Sequence, residues 1–151
     1  MIPHNFYLIP NNVDMKLLYA FYPSEDESDG YNQYVIESFI IDDDFIDYII
    51  DGLGENELND VPCLNPSMKS LPKMDGYSRC GDSLFVEESA EKLIKTFISW
   101  KEFLQDKPDE FTSDDGFDEF NKNEILDNLE KAIDCSKKLL TNKFYIFHSG
   151  I

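Results

Sequence analysis

The chain has 151 residues, with 31 Asp and Glu against 13 Lys and Arg, a formal net charge of -18, and 42% hydrophobic and 14% aromatic content. That length and apolar content suffice for one folded domain with a real core and exclude a wholly disordered chain. The charge opposes binding to anionic lipid or to nucleic-acid phosphates, so no membrane partner and no direct nucleic-acid partner is expected.

The first elements in chain order read as strands. "NFYLIP" (Asn5 to Pro10), "KLLYAFY" (Lys16 to Tyr22) and "QYVIESFII" (Gln33 to Ile41) are rich in aromatic and β-branched residues. The acidic "PSEDESDG", Pro23 to Gly30, reads as a solvated loop before the third, and an antiparallel meander is the simplest arrangement. From Asp42 to Gly54 the period becomes helical: Phe45, Ile46, Ile49, Ile50 and Leu53 form one apolar face, Asp43, Asp44, Asp47 and Asp51 fall opposite, and a glycine ends the run.

From Glu55 to Leu84, Pro62, Pro66, Pro72, Gly76 and Gly81 predict an irregular segment, with a short strand or hairpin near "GYSRCGDSLFV". A long helix follows over about Glu87 to Asp106, then the "DEFTSDDGFDEF" loop, a last helix over about Lys122 to Thr141, and a closing strand in "KFYIFHS". The expected fold is α+β: a single domain over residues 1–151, an antiparallel sheet with about three helices.

No apolar run approaches the roughly 20 residues that cross a bilayer. "MIPHNFYLIP" has no basic segment before an apolar one, and Cys63, Cys80 and Cys135 lack CxxC spacing. A reduced, cytoplasmic chain is therefore expected.

The acidity is segregated. Between Lys16 and Lys69 there is no Lys or Arg, while thirteen carboxylates run from Glu25 to Asp60, and a second base-free run spans Asp109 to Phe120. Solubility asks only for a net charge of about 2 to 8 in magnitude in a small domain; the excess suggests a basic partner. "TSDDGFDEF" resembles part of a calcium loop, but with Gly116 as the sixth position the first is Phe111 and the twelfth Lys122, so an EF-hand fails. Asp114, Asp115 and Gly116 instead predict a turn, and no metal or cofactor is expected.

Catalytic signals are sparse. His4 and His148 are the only histidines and fall in no metal-binding pattern, Arg79 is the sole arginine, and no phosphate-cradling glycine motif is present. A Cys135/His148 pair or a close carboxylate pair would be the chemistry of an enzyme reading, and the expectation is that the chain is not an enzyme.

The acidic helix carries the sharper signal. Asp43 and Asp44 suit the positive end of a helix dipole, but Asp47 and Asp51 repeat the charge at i, i+4 spacing with no Lys between them, which costs a few tenths of a kcal/mol per pair. Tyr48 lies between the acidic and apolar arcs, either as a boundary residue over the core or as an aromatic anchor among carboxylates. Asp43, Asp44, Asp47, Tyr48 and Asp51 form one candidate partner-binding patch, and Asp114, Asp115, Asp118 and Glu119 another.

In size, acidity and element content, with aromatics on acidic faces, the chain resembles the immunity proteins encoded beside bacterial polymorphic toxins, including those of contact-dependent growth inhibition. The resemblance implies an inhibitor that neutralises a basic cognate toxin domain, such as a nuclease. The alternatives are a nucleic-acid mimic in a DNA-binding protein's groove, a small enzyme, or an adaptor.

Overall fold

The computed structural model describes residues 2–13 and 34–150. Six strands form an antiparallel sheet: β1 (Pro3–Pro10), β2 (Glu37–Asp42), β3 (Pro62–Leu64), β4 (Lys73–Asp75), β5 (Asp82–Phe85) and β8 (Phe144–Ser149), in the order β2-β1-β8-β5-β3-β4. A separate hairpin joins β6 (Glu110–Thr112) to β7 (Glu119–Asn121). Among the described residues three helices, α1 (Asp43–Leu53), α2 (Ala90–Phe103) and α3 (Lys122–Leu139), join the sheet in an α+β fold, and none of them is long and apolar enough to cross a membrane.

Alternation along the central strands decides which side chains meet the helices. Successive strand residues point to opposite faces, so His4, Phe6 and Leu8 of β1 share one face with Ile146 and His148 of β8 and with Phe85 of β5. That face carries the main core, which the helices close with Phe45, Ile49, Phe97, Trp100 and Leu129. The opposite face holds a smaller cluster around Ile9, Leu84 and Phe147. Helix α3 packs on α2, β2 and β8, and its Asn128 side chain accepts the outward N–H of Ile40, 2.9 Å away, on the edge strand β2.

Local chemistry explains the boundaries of α1. The Asp42 carboxylate accepts the Asp44 N–H at 3.0 Å as N-cap, and Gly54, at φ +86°, ends the helix in the left-handed conformation with its N–H on the Ile50 carbonyl.

Two segments differ from expectation. In the stretch from Glu55 to Leu84 the short strand expected near "GYSRCGDSLFV" is present as β5, but two further strands join the main sheet; β3 and β4 have only three residues each, set among Pro62, Pro66 and Pro72, too short for a readable period. The loop before α3 contains the β6–β7 hairpin. The expected strand at Lys16 to Tyr22 and loop at Pro23 to Gly30 lie outside the described residues, as does the start of the stretch from Gln33, of which β2 takes Glu37 onwards.

Candidate functional site

The two histidines meet. Register places His148 opposite Phe6 and His4 opposite Ile41, and both imidazoles sit on the helix-covered face with no exposure. His4 Nδ1 lies 2.9 Å from His148 Nε2, and His4 Nε2 lies 2.7 Å from Asp43 Oδ1. Arg79 closes the chain from the segment before β5: its Nε donates to Asp43 Oδ1 at 2.7 Å and one terminal nitrogen donates to Asp47 Oδ1 at 2.8 Å. Gly150 lies against this segment, its N–H on the Gly81 carbonyl, where any Cβ would strike the Arg79 carbonyl oxygen.

The proton positions follow from the acceptors. Hydrogen bonding from Arg79, and after it from His4, holds the Asp43 carboxyl below the usual carboxylate range despite burial, so Asp43 accepts from both. His4 therefore carries its proton on Nε2 and, when neutral, offers Nδ1 as acceptor to His148 Nε2–H. His148 Nδ1 is left as a bare, buried nitrogen without a hydrogen-bond partner. Burial, and after it the charge of His4, pushes the His148 pKa down to about 3. An Asp-His-His chain has the layout that orients a catalytic base, but its free nitrogen is buried, and the His148 ring packs among Phe6, Tyr77 and Phe85 with centroid-to-centroid distances of 4.7, 5.2 and 6.4 Å. The network acts as an internal tie between β1, β8, α1 and the Arg79 segment.

This arrangement corrects the helical-wheel reading of α1. Asp43 is not on the outer face: it is 8% exposed and committed to His4 and Arg79. Asp47 stays outward, its side chain 60% exposed, but is paired with Arg79, so the cation missing from the helix arrives from elsewhere in the chain. Cys135 is buried on α3, where loss of water pushes its thiol up to about 12, and the hydrogen-bond partner of His148 is His4.

The outer surface brings together the two acidic stretches. Tyr48 is half-buried, its ring 5.8 Å from Phe103, 5.4 Å from Phe111 and 5.3 Å from Phe120, with the Lys107 ammonium 5.5 Å from its centroid. It is thus a boundary residue that fastens the hairpin to α1. The Asp118 carboxyl is held above the usual range, first by loss of water and then by the negative charges of Asp44, Asp115, Asp42 and Asp47. Asp42, Asp44 and Asp47 of the first acidic stretch therefore lie within electrostatic reach of Asp118 and Asp115 on the hairpin, with Asp51 exposed on α1 and Asp114 and Glu119 exposed on the hairpin.

The hairpin tip is ordered by its own hydrogen bonds. Gly116, at φ +77°, donates its N–H to the Ser113 carbonyl at 2.9 Å. Asp115 Oδ1 accepts from Ser113 Oγ at 2.6 Å and from the Phe117 N–H at 3.0 Å, contacts that hold its carboxyl below the usual range. The expected turn at Asp114, Asp115 and Gly116 is present. From it projects Phe117, 87% exposed, which the sequence reading of this stretch, directed at its carboxylates and its turn, did not single out. Among the described residues no three His, Cys, Asp or Glu side chains converge on a metal-sized point.

Comparison with protein-family models, with curated proteins and with solved structures finds no match for this chain.

Proposed function

We propose that this protein is an inhibitor of the immunity type, binding and neutralising a basic protein partner, a cognate toxin domain, through the surface shared by α1 and the β6–β7 hairpin. The convergence of two acidic stretches distant in sequence into one field around a projecting aromatic supports this reading most directly. An exposed Phe117 on a turn held by internal hydrogen bonds is a pre-organised anchor, since little freedom is lost when it enters a partner's pocket. Asp44, Asp51, Asp114, Asp115, Asp118 and Glu119 form no ion pair with a described residue, which leaves their field available to steer a cationic partner to rates of about 10⁸ M⁻¹s⁻¹ at low salt.

The test is affinity capture from the host, washed at rising salt, followed by titration of the captured protein. A single basic protein bound one-to-one, weakened at least tenfold by Phe117→Ala, is the expected result. Capture of several DNA-binding proteins, or a single partner indifferent to Phe117→Ala, would remove this reading.

Asp51 gives a control in which stability and binding move in opposite directions. It is exposed near the C-terminal end of α1 and four residues after Asp47, so both the helix dipole and its neighbour disfavour it. Asp51→Lys is expected to raise the unfolding free energy by about 0.5 kcal/mol while weakening capture, as measured by urea titration alongside the binding assay. A variant that is both less stable and a poorer binder would contradict this assignment.

A further inference from the structure

Beside the shared acidic surface lies a cleft of about 140 Å³ between the β2–α1 junction, β7 and the start of α3. Ile41, Phe45 and Phe120 give it an apolar floor, and Asp42, Glu119 and Glu124 stand around it. None of these three carboxylates has an ion-pair partner among the described residues. Asp42 is partly withdrawn from water, and this burial holds its carboxyl above the usual range while one oxygen caps α1. A half-dry carboxylate at the mouth of an apolar recess, with two more beside it, is electrostatically incomplete without a cation.

We propose that this cleft receives one arginine side chain of the basic partner, its aliphatic stem on the apolar floor and its guanidinium among Asp42, Glu119 and Glu124. This inference rests on the inhibitor reading and specifies the chemistry of the contact. Arginine suits the recess better than lysine because its planar, weakly hydrated head stacks on aromatic rings and bonds carboxylates through two parallel donors, while its stem covers apolar surface.

The cleft can be tested without the partner by NMR titration of the full chain with n-butylguanidinium, with n-butylurea as the uncharged planar control. Saturable shifts centred on Ile41, Phe120, Asn121 and Glu124 are expected with the guanidinium and not with the urea. The double variant Glu119→Gln/Glu124→Gln should weaken binding at least fivefold, whereas Glu91→Gln/Asp134→Asn, at exposed positions outside both acidic stretches and away from the cleft, leaves it unchanged. Both glutamates are exposed, so the double variant keeps the fold. Non-saturating shifts spread over the acidic surface, or equal binding of the urea, overturn the proposal. Saturable binding here with no basic partner captured from the host would sink the inhibitor reading instead, so the two failures are distinguishable.

Discussion

Asp43→Ala is expected to lower the unfolding free energy by about 3 kcal/mol, in the range found when one partner of a buried ionic network is removed. Two losses combine. The His4 Nε2–H, with no exposure, is left without its acceptor at 2.7 Å, and an unpaired buried donor costs about 1 to 3 kcal/mol. Arg79 loses its bond to Asp43 but keeps Asp47, and its side chain is 30% exposed, so water relieves part of its loss and the total stays at the lower end of that range. Asp43→Asn retains one acceptor oxygen and is expected to cost about half as much. Urea unfolding followed by fluorescence of Trp100, the only tryptophan and fully buried, measures both variants. A loss under about 1 kcal/mol for the alanine variant would mean that the network is decorative. The prediction concerns breaking the network; an apolar replacement of all its members could be neutral, because desolvating the ions offsets much of their attraction.

The network shows where sequence reading succeeds and where it stops. The strand pattern at both ends of the chain allowed His148 to lie beside the N-terminal strand, and period-two alternation carries His4 onto the same face as Phe6 and Leu8. The pairing with Asp43 was also close to legible: Asp43 precedes Ile46 by three and Ile50 by seven, on the flank of the apolar stripe. A wheel drawn by charge alone placed it opposite instead. Arg79 was beyond reach, since nothing local to "GYSRCG" indicates that its guanidinium spans 36 positions to α1. Convergence of the acidic stretches was equally hidden. It depends on the aromatic contacts of Tyr48 with Phe111 and Phe120, and those need the β6–β7 hairpin, whose three-residue strands are too short for alternation to show.

Acidification from pH 7 to pH 5 is expected to remove about 2 kcal/mol of stability through His148 alone. In the unfolded chain a histidine titrates near 6.5, whereas burial brings folded His148 down to about 3. Between those values the unfolded state binds a proton that the folded state does not, so stability falls as pH falls, by about 1.4 kcal/mol per pH unit. The contribution is fully present above the unfolded value and is being lost at pH 5, which lies roughly 1.5 units below it. Asp43 has the same sign at lower pH, because its carboxyl is held below the ordinary range. Asp42, Asp82 and Asp118 have the opposite sign: their carboxyls are held above it, chiefly by loss of water, so the folded chain takes up those protons first and gains stability. These carboxyls gain where His148 loses, so the comparison of the wild type with a His148 variant isolates the share of that imidazole. Urea titrations at pH 7, 6 and 5 should show the wild type losing about 2 kcal/mol and His148→Gln, whose amide keeps a donor for His4 Nδ1, losing less than half of that. Equal losses in both proteins would assign the proton uptake to another group. If the variant does not fold, the wild-type imidazole resonances decide the question, because a His148 ring that titrates above pH 5 in the folded protein would contradict its burial as a neutral base.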